Sequence, residues 1–126
     1  MQSEKFSFTK RIKSFTYAFR GIKILIASEH NARIHLLAAI CVVITGVLLT
    51  LSVIEWCLIV AAIGAVFTAE AFNSAIEALC DYCTIEDHEL IKKSKDIAAG
   101  GVLFTAIAAA AIGLLIFVPK ICSYLI

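Results

Sequence analysis

Large apolar residues fall at Phe8, Ile12, Phe15, Phe19, Ile22 and Ile26, in alternating steps of four and three. At about 100° per residue these positions form one narrow stripe. The pattern predicts an amphipathic helix over about residues 5–28. Its other faces carry Lys10, Arg11, Lys13, Arg20 and Lys23, the composition of a helix lying in a membrane interface against anionic headgroups. Lys10, Lys13 and Tyr17 fall together, nearly opposite the stripe. Two readings of that group stand side by side: a solvated face of an anchor helix, and a basic, aromatic platform for a phosphate-bearing ligand.

Three long apolar runs follow. Residues 34–54 carry no formal charge if His35 is neutral, and about 21 residues suffice to cross a ~30 Å hydrocarbon core at 1.5 Å per residue. A short link around Ser52 to Glu55 leads to a second span over 56–81, opening with Trp56 as an interfacial belt residue. The third, over 97–118, is stopped by Pro119 and Lys120. Between the second and third spans, "TIEDHELIKKSKD" opens with Thr84 as an N-cap and Asp87 three residues later, so a short surface helix is expected before the third span. The basic cluster before the first span and Lys92, Lys93 and Lys95 before the third belong on the cytoplasmic side. The link near Glu55 and the C-terminus then face outward.

Composition turns these runs into a class. The chain is 61% hydrophobic with a mean hydropathy of +0.95, well above the roughly 45–50% apolar usage of soluble proteins. It reads as an all-α integral membrane protein, one domain over residues 1–126, with three transmembrane helices plus an N-terminal amphipathic surface helix. The N-terminus has no short apolar core followed by a small-residue cleavage site, so the first span is expected to stay in the product. A net charge of +1 gives no footprint for a nucleic-acid partner. The five cysteines are an odd number, and Cys80 and Cys83 form a lone C-x-x-C with neither a βαβ setting nor a second pair. Small residues in "AAGG" and "AIAAAAIG" suit close helix packing, within or between subunits.

Against this background "AEAFNSAIEALCD", Ala69 to Asp81, stands out. A charged side chain near the centre of a membrane helix costs roughly 2.5–3.5 kcal/mol on insertion scales. On a helical wheel Asn73, Ser74, Glu77 and Asp81 all fall within about 60° of Glu70, so the polar residues share one face that should meet protein or water. Three explanations fit the residues: pairing with surface basic groups; cation-assisted phosphoryl transfer at the membrane surface, with one carboxylate as base; and an ion or proton site in a small transporter or channel. The stripe lies at one end of the span beside basic segments, and the other spans lack acids, which favours interfacial chemistry. No soluble nucleotide-binding signature is present. His30 and His35 read as solvated surface histidines.

"EAFNSAIEALCD" followed by "EDHELIKKSKDIAAGGV" resembles the signature of the prokaryotic diacylglycerol kinase family, which includes undecaprenol kinases. The pattern is Glu-x-x-Asn-(Ser/Thr)-(Ala/Val)-Ile-Glu-x-x-x-Asp, then a Lys-Asp pair, here Lys95 and Asp96. Resemblance extends back through "FRGI" and "SEHNARIH". It implies a homotrimer in the bacterial inner membrane, with active sites shared between subunits. It also implies transfer of the γ-phosphoryl of MgATP to a lipid hydroxyl, of diacylglycerol or undecaprenol, at the cytoplasmic face. By this resemblance Glu70 is the general base, and Glu29 and Glu77 hold magnesium. Lys10, Tyr17, Glu29, Glu77, Glu86, Asp87, His88, Lys95 and Asp96 contact the nucleotide, while Asn73 and Ala99 support the site or the lipid. Some enterobacterial members have Arg where this chain has Lys10, beside Arg11, so either residue could reach the nucleotide. Ala99 replaces a Ser, and "ARIH" is closer to the Gram-positive branch, which leans toward undecaprenol.

Overall fold

A computed structural model describes residues 4–126, which form four helices: α1 (Phe8–Ser28), α2 (His30–Leu48), α3 (Val53–Cys83) and α4 (Glu89–Leu125). The all-helical architecture expected from the hydrophobic pattern is present, and α2, α3 and α4 are each long and apolar enough to cross a membrane. Ser7 starts α1 by accepting a hydrogen bond from the Lys10 backbone N–H. The apolar stripe of α1 stays uncovered, with Phe8, Ile12, Phe15, Phe19 and Ile22 all exposed. That is the form of a helix whose apolar partner is lipid.

One residue separates α1 from α2. Glu29 adopts an extended backbone (φ −103°, ψ 118°), ends α1 through its N–H to the Leu25 carbonyl, and serves as N-cap of α2 without a side-chain capping bond. Its carboxylate is therefore uncommitted at the bend. Arg33 holds the bend from the far side: Nε donates to the Ile26 carbonyl at 2.9 Å and a terminal nitrogen donates to the Ala27 carbonyl at 2.6 Å. These are carbonyls that the last turn of a helix leaves without partners.

At the opposite end, α2 turns into α3 through Thr50, the one non-glycine residue with positive φ (52°) among those described. Ser52 and Glu55 form a reciprocal capping box, with the Glu55 N–H donating to Ser52 Oγ at 3.2 Å and the Ser52 N–H donating to Glu55 Oε2 at 2.8 Å. The same carboxylate meets Lys120 Nζ at 3.2 Å, tying the end of α4 to the start of α3. Leu51, Ile59 and Ile116 form a small buried cluster beside this end, flanked by Val42, Trp56, Ile63, Ile112 and Phe117. The main packing is α3 along α4, and α1 and α2 both lean on α3.

Two expectations need correction. Thr84 does not start a helix; its N–H reaches back to the Cys80 carbonyl and it ends α3. Its hydroxyl accepts from the Glu86 N–H at 3.0 Å, so it shapes a turn. The next helix starts at His88, whose Nδ1 accepts from the Leu90 N–H at 3.2 Å. From there α4 runs unbroken, so no separate surface helix precedes the third span: neither Gly nor Pro interrupts Glu89 to Ile97, and the Lys92–Asp96 pair spaced i,i+4 supports the first turns. Nor does Pro119 stop the helix, which continues to Leu125. Proline removes one N–H, but buried Ile116 just before it and the Lys120–Glu55 pair just after it hold the helix in place.

Gly46 offers a direct check on the packing beside the α2–α3 turn. A Cβ there would lie 2.8 Å from Trp56 Cη2 and 2.9 Å from Leu51 Cδ1, whereas a Cβ at Gly64 meets nothing within 4 Å. Gly46→Ala is expected to destabilise the protein by about 1–3 kcal/mol through overpacking. Gly64→Ala is expected to be neutral or stabilising, since Ala is the better helix former. Thermal unfolding in mild detergent, followed by Trp56 fluorescence, compares the two.

Candidate active site

The polar face of α3 is graded by depth. Glu70 is 2% exposed, the one charged residue in the buried set; Asn73, Ser74 and Glu77 are half-buried, and Asp81 is exposed. At 1.5 Å rise, Glu70 lies about 26 Å along α3 from Val53 and Glu77 about 36 Å. With a hydrocarbon layer of ~30 Å beginning near Val53, Glu70 falls just inside its edge and Glu77 outside it. The helical periodicity thus places the acids on one face, and their depth separates a dry carboxylate from a wet one.

The buried part of this face is short of partners. The Asn73 amide donates to Glu77 Oε1 at 3.2 Å, but Glu70 Oε1, Asn73 Oδ1 and Ser74 Oγ are buried without a hydrogen bond. Each such atom costs roughly 1–3 kcal/mol, and native proteins hold few of them. Three within two turns of one helix mark a place where the folded chain leaves bonding capacity for something else.

His35 is the residue that the sequence reading misplaced. It is not a solvated surface histidine: its side chain is 25% exposed and its Nε2 lies 3.1 Å from Glu70 Oε1, although the ring N–H is not aimed well enough to make a hydrogen bond. The bend at Glu29 lays the first turns of α2 against α3, bringing position 35 level with position 70. A signal was present in the sequence, since a polar side chain within a charge-free span needs a polar partner, and Glu70 is the acid nearest its depth.

Where α3 passes to α4, a cleft of about 760 Å³ is lined by Asp81, Thr84, Glu86, Asp87, His88, Lys92, Lys95 and Asp96, among others. Its size lies within the range of small-molecule sites. Five of the residues expected at a nucleotide, Glu86, Asp87, His88, Lys95 and Asp96, line it together. Lys95 Nζ pairs with Asp81 Oδ1 across the two helices, and Lys92 Nζ with Asp96 Oδ2 at 2.8 Å. The lysines are thus held at the cleft wall with their charge partly compensated.

Other expected residues lie apart. Lys10 and Tyr17 line a separate hollow of about 360 Å³ with Arg11, Lys13 and Ser14, where Lys10 meets Glu4 at 3.3 Å and Arg20 stacks over the Tyr17 ring. Glu29 lines a third, of about 440 Å³, between α1 and α3, together with Ser74, Ala75 and Ala78. That places Glu29 beside the polar face of α3. Among the described residues no three His, Cys, Asp or Glu side chains converge as a metal cluster. Ala99 is exposed on α4 and lines none of these hollows.

Comparison with known proteins agrees with the residue pattern. A family model described as prokaryotic diacylglycerol kinase matches residues 16–117. An undecaprenol kinase of Bacillus subtilis is 46% identical over 109 residues, spanning 86% of this chain and 89% of that protein. A diacylglycerol kinase of Synechocystis is 34% identical over 114 residues, spanning 90% of this chain and 65% of the relative. One from Escherichia coli K12 is 30% identical over 109 residues, covering 86% and 89%. The match takes in the α3 polar face, the α3–α4 cleft and the three spans, and on these grounds the chain belongs to the prokaryotic diacylglycerol kinase family of membrane lipid kinases.

Proposed function

We propose that this protein transfers the γ-phosphoryl group of MgATP to the primary hydroxyl of a membrane lipid at the cytoplasmic face of the bacterial inner membrane, with undecaprenol as the acceptor. The observation that carries the reading is the depth order on α3: a buried carboxylate at the edge of the apolar layer, unpartnered oxygens one turn above it, and a cleft of small-molecule size with lysines beyond. A lipid hydroxyl and a soluble nucleotide approach such a site from opposite sides. The 46% identity to an undecaprenol kinase favours that lipid. The two relatives named diacylglycerol kinases support diacylglycerol as a second reading.

In this reading Glu70 accepts the hydroxyl proton as the lipid oxygen attacks the γ-phosphorus, and the bond to ADP breaks. Lys95 presents charge to the phosphates, while Glu86, Asp87, His88 and Asp96 shape the cleft around the nucleotide. Asn73 orients Glu77 through their hydrogen bond. The donor set suits magnesium, which takes oxygen ligands: Glu77 is held through Oε1 and leaves Oε2, Glu29 is uncommitted at the bend, and Asn73 Oδ1 and Ser74 Oγ are unpartnered. Bound there, the ion would offset charge on the phosphates. Lys10 and Tyr17 would reach the nucleotide from a neighbouring copy in a homotrimer, which agrees with their lying in a different hollow from the α3–α4 cleft. Residues 1–126 act as one domain in this scheme. A transporter or channel built on Glu70 and Glu77 finds no acid on α2 or along residues 97–118 to continue a path, and kinase family membership displaces it.

Reconstitution with labelled ATP and either undecaprenol or diacylglycerol tests the reading. Labelled lipid is expected from both, with the higher kcat/KM for undecaprenol, and no labelled lipid from either acceptor overturns it. Glu70→Gln should lower kcat by roughly 10²- to 10⁴-fold, the usual worth of a general base, with the unfolding temperature unchanged. Glu77→Ala should shift the magnesium dependence of the rate to higher concentration; an unaltered magnesium titration would remove Glu77 from the metal site.

A further inference from the structure

We infer that His35 is a positioning residue for Glu70, holding one carboxylate oxygen so that the other faces the acceptor hydroxyl. The inference rests on the reading of Glu70 as base. Nε2 of His35 lies 3.1 Å from Glu70 Oε1, the oxygen that is buried with no other partner. Among the described residues no Lys or Arg pairs with Glu70, so this imidazole is the donor within reach.

The surroundings of the ring leave it little else to do. His35 stands at the head of a hollow of about 100 Å³ between α2, α3 and α4, whose walls include Ala38, Val42, Ile63 and Val66. No acid lies on α2 to compete for the ring. The N–H is at bonding distance but not aligned, and catalytic hydrogen bonds are often loose before the substrate arrives and tighten when it binds. A donor at Oε1 suits both states of the base. It bonds the carboxylate before transfer, and the carbonyl oxygen of the acid after Oε2 has taken the hydroxyl proton. As the proton moves to Oε2, the lipid oxygen bonds to phosphorus and the bond to the leaving ADP breaks, with Oε1 and His35 unchanged throughout.

Replacements can separate position from polarity. The side-chain amide nitrogen of Gln can occupy the place of Nε2, whereas that of Asn falls near Nδ1 and is too short. In the full-length protein in vesicles with undecaprenol and MgATP, His35→Asn should lower kcat roughly 10- to 100-fold, the scale seen when a group that orients a reactive ligand is lost. KM for both substrates should stay within about twofold, and His35→Gln should recover most of the rate. The double variant His35→Asn with Glu70→Gln should be no slower than Glu70→Gln alone, because His35 acts only through the carboxylate. Equal rates for wild type and His35→Asn would overturn the inference, as would additive losses in the double variant or a loss confined to KM. Wild-type kcat in Glu70→Gln would instead overturn the reading of Glu70 as base, and this inference with it.

Discussion

A carboxylate buried at the edge of an apolar layer is the constraint that organises this chain. Glu70 is 2% exposed and follows an uncharged run from Trp56 to Ala69 along α3, and an ionised group there is stable only among polar partners. The rest of the polar end supplies that shelter. α1 bends away at Glu29, which lets the first turns of α2 reach α3. Arg33 binds the open carbonyls of α1 to keep the bend. His35 then arrives beside Glu70. A straight continuation of α1 into α2 would carry His35 away from the carboxylate.

The two ends of the molecule are built on opposite principles. At the Glu55 end the polar groups are paired: a reciprocal capping box and an ion pair from Lys120 to the same Glu55 carboxylate, with a glycine pressed against Trp56. At the Glu70 end three buried oxygens are left without partners. Stability gained at one end offsets strain accepted at the other, and functional sites are where such local deficits concentrate. The geometry of α3 joins the two, because a helix anchored at Ser52 and Glu55 fixes how far inward Glu70 and Glu77 project.

Features set by local chemistry could be read from the sequence. The four-three spacing from Phe8 to Ile26 marks α1, the charge-free runs mark the spans, and the wheel gathers Glu70, Asn73, Ser74 and Glu77 on one face. What could not be read depends on contacts distant along the chain. Thr84 has the residue type of an N-cap, but α3 extends far enough to use it as a terminus. Pro119 has the residue type of a helix stop, but Lys120 is held by Glu55, sixty-five positions earlier in the chain. His35 looks like an incidental polar residue until the bend at Glu29 sets it beside Glu70. The division into hollows was hidden for the same reason, since spacing along α1 says nothing about which part of α4 it approaches.

The hollows bear on assembly. Five of the residues expected at the nucleotide line the α3–α4 cleft, while Lys10 and Tyr17 line another and Glu29 a third. One chain therefore does not gather the whole set around a single ligand. It also leaves most large apolar side chains of α2, α3 and α4 exposed, a surface that lipid and further copies can share. In the proposed trimer, small residues along α4 would permit close approach, and α1 of one copy would lie near the cleft of the next. The open carboxylates and unpaired oxygens of α3 then have a reason to be incomplete in the isolated fold. Under that proposal they would face the place where a neighbour, a nucleotide and a lipid hydroxyl meet, and that combination would satisfy them together.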